Sequence, residues 1–262
     1  LSGGIRRIAH FSESVVPVMA VLFMGGCVVF IAFHLSVLPG AVADVFRYAF
    51  TPMAGVGGAA GISVMTAARY GVSRGLFSNE AGLGTTPHAH AIAKVHNCYE
   101  QGMMAIVGIS VDLLVCTFTG LVLLVSGVLA DGSGMVGIQL MQSAFCSSFG
   151  MVGNWLIAVS LFFFAMSTIV GWYFFAAQNV RYLFGEGPIK AYRLLVVVLV
   201  VLASVVQVPL IWELADTFNF FIVIPNVLAL FWLSPKVAKE VKRMRFELKR
   251  LRKERRSRSR QG

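Results

Sequence analysis

The chain has 262 residues, of which 57% are hydrophobic and only 13% charged, with a mean hydropathy of +0.78. A soluble domain carries about 25% charged residues and is at most about half apolar, so this composition excludes a water-soluble globule and makes lipid the main solvent. The net charge of +10 is local, because thirteen of the 22 Lys/Arg and three of the 12 Asp/Glu lie in residues 235–262; it says nothing about what the neutral apolar body binds.

The chain opens on Leu1 in a polar stretch without the layout of a signal peptide, which suggests a piece cut from something longer. A spanning helix needs about 20 apolar residues. In lipid such segments must be helical, and the absence of period-2 alternation excludes an outer-membrane barrel. In chain order the expected crossings are 15–36, 53–75, 102–130, 152–178, 194–212 and the slightly short 217–234. Residues 41–50 are expected as a short surface helix, and 235–262 as a basic tail.

Lys/Arg in short loops orient such a protein. Arg6 and Arg7 place the start inside, as do Arg69, Arg74 and Lys94, and then Arg181, Lys190 and Arg193. The 131–151 connection and a turn at 213–216 carry none and are read as outside, which leaves the basic C-terminus cytoplasmic.

The second crossing is the odd one. Met53–Ala68 is about 16 residues long and is interrupted by Gly55, Gly57, Gly58 and Gly61. Non-helical backbone survives at membrane depth only where protein covers it or a cavity lies beside it, and in transporters such stretches hold solutes. The competing reading is a close-packed helix built on Gly57-x-x-x-Gly61. Periodicity does not choose between them.

Among the polar groups, Asp112 sits about ten residues inside an uncharged span, where charges are costly and functional by default. It reads as an ion-coupled group or as a structural hydrogen-bonding one. Ser78, Asn79 and Glu80 read as a helix cap followed by a first-turn acid, or as a gate. Ser167 and Thr168 lie mid-span, and Ala165, Thr168 and Trp172 share one helical face. Hydroxyls there can hold a hard cation, which prefers oxygen, or bond their own i−4 carbonyls. His88, His90 and His96 match no zinc spacing, and the four cysteines read as small hydrophobes, so neither a metal cluster nor a cofactor is expected from them.

The run Arg69–Ala91, RYGVSRGLFSNEAGLGTTPHAHA, closely resembles the hallmark segment of the bacterial sodium–alanine symporter (amino-acid carrier) family. The resemblance extends to Gly3–Ile8, Val15–Met19, Gly108–Thr117 and Ala165–Tyr173, and so to essentially the whole chain. It implies an all-α, leucine-transporter-like inverted-repeat fold in a bacterial inner membrane. On that pattern the chain supplies the last helix of repeat one and all of repeat two, and lacks the N-terminal half. The implied activity is sodium-coupled symport of alanine or a similar small neutral amino acid, not enzymatic chemistry. The resemblance further implies a substrate site at Gly57, Gly58, Gly61, Ser63 and Trp172, and a sodium site at Ala165, Ser167 and Thr168. The alternative is a non-transporting remnant or interaction subunit. In the tail, Val237, Val241, Met244, Leu248 and Leu251 make one apolar face, expected to lie on anionic lipid rather than to bind nucleic acid.

Overall fold

The computed structural model describes the backbone of residues 4–50, 59–80, 82–130, 135 and 137–258. Side chains are described over the same stretches except 4–12, 48–50, 59–67, 130, 248, 249 and 251–258. Among these residues the regular elements are all helices: α1 (Gly4–Phe33), α2 (Leu38–Phe50), α3 (Ala59–Asn79), α4 (Pro87–His90), α5 (Cys98–Ser126), α6 (Ile138–Phe184), α7 (Ile189–Ala203) and α8 (Val208–Arg258). A 3₁₀ turn, Val128–Ala130, follows α5.

Four helical stretches among the described residues are long and apolar enough to cross a membrane: Glu13–Phe33, Cys98–Ser126, Ile138–Phe184 and Val208–Glu247. The chain is therefore a multi-pass membrane protein. The expected 194–212 crossing is two elements, because α7 ends at Ala203 and α8 begins at Val208. Ser204 closes α7 through its N–H and its hydroxyl, and Pro209 sits in the first turn of α8, where its missing N–H costs nothing. Apolarity alone reads straight through this break. The turn expected at 213–216 is helix, and so is the chain after 235, since α8 continues past Pro225 and Pro235. The 131–151 connection is likewise helical from Ile138. Of the glycine-broken segment, 53–58 lies outside the described residues and 59–79 is α3.

The chain divides into two compact units, residues 1–72 with 111–205, and residues 73–110 with 206–262. The first is held by apolar packing of α1 against α6. Phe23, Cys27, Phe30 and Ile31 of α1 are buried with Val122, Val128, Met141, Ala144, Phe145 and Ile157. Gly150, at φ 58° and ψ −138°, breaks the long α6. Phe145 on one side of that kink and Ile157 on the other enter the same core. At Gly153 a Cβ would run into the Phe145 carbonyl, so the kink closes only with glycine there.

The α6–α7 hairpin belongs to the same unit. Gly185, at φ 77°, ends α6 with its N–H on the Arg181 carbonyl. Tyr173 and Tyr192 stack with ring centroids 5.8 Å apart.

Candidate functional site

The recognisable run 69–91 leads directly into the second unit. Here α3 ends at Asn79, and Glu80 takes φ 54°, a left-handed conformation that closes a helix but is uncommon for a side chain other than glycine. The Glu80 N–H donates to the Leu76 carbonyl at 3.1 Å. The chain then turns through Gly82 (φ 95°) and Gly84 (φ 77°), both conformations that glycine adopts without steric cost.

Inside that turn the Thr85 hydroxyl donates to Glu80 Oε2 at 2.7 Å, and Leu83 and Thr85 are buried. Ser78, Asn79 and Glu80 thus terminate a helix. The expected N-cap followed by a first-turn acid is corrected: this carboxylate braces a C-terminal turn, because the glycines after it reverse the chain.

Two residues of α8 grip the same region. Asn226 donates from Nδ2 to the Gly82 carbonyl at 2.8 Å. Its side chain lies so close over Gly84 that a Cβ there would stand 2.6 Å from Asn226 Oδ1. Asp216 receives Arg74 through two bonds, Nη2 to Oδ2 at 2.8 Å and Nη1 to Oδ1 at 3.2 Å. The Ser73 hydroxyl donates to the same Oδ1 at 3.1 Å. The Arg74 guanidinium lies 4.0 Å over the Trp212 ring, whose edge is met by Phe77 at 5.4 Å.

A guanidinium is suited to this dual contact, since its planar fork matches a carboxylate while its face stacks on an aromatic ring. Both partners are about one-third exposed, so water still reaches the pair and its energy is modest. Such a contact can form and release at little cost.

This ion pair corrects the charge-based orientation. Arg74 was expected inside and 213–216 outside, yet the two groups touch. A hydrocarbon layer about 30 Å thick cannot separate them, so both lie at one level. The rule miscounted because it took 213–216 for a loop, whereas these residues lie within α8.

Lower in the run, Pro87 opens the short α4, and Gln101 donates to His90 Nδ1 at 2.6 Å. Asn97 caps α5 by accepting the Glu100 N–H at 2.9 Å while its own amide donates to the Glu100 carboxylate.

The other expected site residues are dispersed. Gly57 and Gly58 lie outside the described residues, while Gly61 and Ser63 fall in α3. Ala165, Ser167, Thr168 and Trp172 lie on α6. There the Ser167 hydroxyl donates to the Phe164 carbonyl at 2.9 Å, and Ala165 and Thr168 are exposed. Trp172 is half-buried, with its ring edge-on to Phe175. Asp112 is half-buried on α5 and accepts a weak bond from the Cys116 thiol.

Sequence reasoning missed Arg74 as a partner of Asp216, and it missed Trp212 and Asn226. No local pattern links positions 142 to 144 residues apart. It also missed Ser160, whose buried hydroxyl has no hydrogen-bond partner among the described atoms.

The polar turn is built from the most distinctive run of the sequence, and comparison with known proteins assigns that sequence. The profile of the sodium:alanine symporter family matches residues 1–259. The chain belongs to the sodium:alanine symporter family. This symporter-family chain is 37% identical to an uncharacterized transporter of Haemophilus influenzae, over 92% of its own length and 53% of that protein. To the sodium/alanine symporter AgcS of Methanococcus maripaludis it is 35% identical, over 92% of its length and 52% of that protein. It is also 35% identical to the probable sodium/glutamine symporter GlnT of Bacillus subtilis, covering 90% of this chain and 48% of GlnT. The chain spans about half the length of the curated relatives it matches.

Proposed function

We infer that this chain serves sodium-coupled symport of alanine or a similar small neutral amino acid, as the C-terminal part of a longer carrier in the bacterial inner membrane. The observation that carries the reading is the family match over residues 1–259, and a relative named as a sodium/alanine symporter supports it. The half-length coverage of the relatives supports the partial-carrier reading. In this reading the fold is of the leucine-transporter type, and the missing half supplies the remaining ligands.

The solute is a zwitterion with a small side chain. Its carboxylate needs exposed backbone amides, which the glycines at 57, 58 and 61 would offer beside Ser63, with Trp172 walling the side-chain pocket. Ala165, Ser167 and Thr168 would hold sodium through a carbonyl and hydroxyls. The ion couples by binding one conformation more tightly than another, so that alanine meets a protein already shifted toward its accepting state. Ser78, Asn79 and Glu80 form the gating turn, Asp112 steadies the bundle, and the basic tail meets anionic headgroups.

Uptake of labelled alanine into proteoliposomes tests this, with the chain alone and with the longer protein encoded around it. The longer protein is expected to accumulate alanine only under an inward sodium gradient. Thr168→Ala should raise the sodium concentration for half-maximal uptake, and Thr168→Ser should restore it. Uptake unchanged on replacing sodium with potassium would refute the coupling.

A further inference from the structure

The tail of α8 carries an ordering of acidic and basic residues beside its apolar face that neither transport nor lipid contact requires. Its apolar residues Val237, Val241, Met244, Leu248 and Leu251 recur at alternating spacings of four and three, which is the a/d seam of a heptad repeat. With Val241 at position a, the three acidic residues of the tail, Glu240, Glu247 and Glu254, all fall at g. Arg245 and Arg252 both fall at e. The helical backbone continues through this whole stretch to Arg258, so the register holds without a break. Val237 and Val241 are 59% and 45% exposed, leaving that part of the seam uncovered within the chain.

We propose that the tail forms a parallel two-stranded coiled coil with a second copy of this chain. In a parallel pair each g residue faces the e residue five positions later on the other helix. Glu240 then meets Arg245 of the partner subunit, and Glu247 meets Arg252 of the partner subunit. Opposite charges at e and g set both partner and orientation in coiled coils. An antiparallel pair would set Glu against Glu and Arg against Arg. Two copies inserted in the same sense across one membrane also present their tails in parallel, so charge pattern and tethering agree.

The excess positive charge opposes pairing, but most of it stands away from the seam. Lys242, Arg243, Lys249, Arg250 and Lys253 occupy b, c and f, and Arg243 meets Glu240 at 3.9 Å and Glu247 at 3.3 Å along its own helix, exposed pairs that a partner's arginines can share or replace at little cost. Repulsion between such outward charges is screened over about 8 Å at physiological ionic strength. Two heptads form a short seam for helices free in solution. Here the membrane spans hold the tails at one level and raise their effective concentration, which lets a weak contact persist.

The test uses the full chain in liposomes of neutral phosphatidylcholine, with Cys27, Cys98, Cys116 and Cys146 replaced by alanine. Val241→Cys (position a) and Met244→Cys (position d) should form an intermolecular disulfide under mild oxidation. Their yield should be about five-fold or more above that of Lys242→Cys and Phe246→Cys at b and f. Adding Glu240→Arg and Glu247→Arg to Val241→Cys should lower the yield several-fold. Mixing that variant with one carrying Arg245→Glu, Arg252→Glu and Val241→Cys should restore it.

Equal yields at all four positions, or yields indifferent to the charge swaps, would overturn the proposal. So would disulfides that form only when anionic lipid is added, because they would assign the tail to the membrane surface. If the cysteine-free background fails to insert, photobleaching of the labelled native chain in the same liposomes decides instead. Two steps falling to one when residues 237–262 are deleted support the coil. One step in both, or two in both, refutes it.

Discussion

The two units of this chain are held together by opposite kinds of contact. In the first, a jigsaw of apolar rings and aliphatic side chains packs across the kink at Gly150, with Phe30 and Phe145 5.2 Å apart and Phe23 edge-on to Phe164 at 5.5 Å. In the second, polar contacts prevail: Asp216 gathers Arg74 and Ser73, Asn226 holds Gly82, and Thr85 braces Glu80. Dispersion contacts fall away steeply with small gaps, so the apolar unit has one good arrangement. Exposed ion pairs exchange with water at little net cost. From this contrast the first unit is expected to be rigid, and the polar contacts of the second to exchange readily with water.

The largest blow to this contrast should come at Gly153. Gly153→Leu must displace the Phe145 backbone, and in a packed interior such insertions cost about 1–3 kcal/mol or more. Thermal unfolding in detergent should show a clear loss of stability, and a protein of native stability would mean the kink is soft.

In the second unit Gly84→Ala combines a left-handed φ of 77° with a collision against Asn226. It is expected to cost about 1–3 kcal/mol. Pairing it with Asn226→Ala should recover the collision part and leave the strain, as a double-mutant cycle would reveal.

A smaller effect is expected at the ion pair. Arg74→Ala and Asp216→Ala should couple by about 0.2–1 kcal/mol, falling further in high salt. Their larger effect should fall on transport, shifting maximal uptake more than half-saturation. Coupling above that range, insensitive to salt, would move this pair into the rigid class.

The smallest effect is expected at Ser160. Its hydroxyl is buried without a partner among the described atoms, so Ser160→Ala removes a desolvated group and should be neutral or slightly stabilising. A marked loss of sodium dependence there would instead expose a ligand role.

How much of this was legible in the sequence follows from the range of each signal. The spans around α1, α5, α6 and α8 announce themselves, since about 20 apolar residues in a row leave few other structures. The break at 204–207 was hidden because Val205 and Val206 are as apolar as the helix before them, leaving only Ser204, Gln207 and Pro209 as faint punctuation. Glu80 was misassigned because a Ser-Asn-Glu triplet suits a helix start, and only the two glycines after it reveal a helix end. Asp216 and Arg74 were placed on opposite sides because counting charges in loops assumes the loops are known. Its pairing with Arg74 is a tertiary fact that no window along the chain contains.

The length of α8 has a mechanical consequence. From Asp216 to Arg258 the helix runs about 63 Å along its contour at 1.5 Å per residue, with Pro225 and Pro235 as the two points where it can bend, so on a straight run each degree of tilt about the Arg74 contact would swing the far tip by at most roughly 1 Å. A probe on the tail would report whether those two prolines pass a shift at the ion pair along the helix or absorb it.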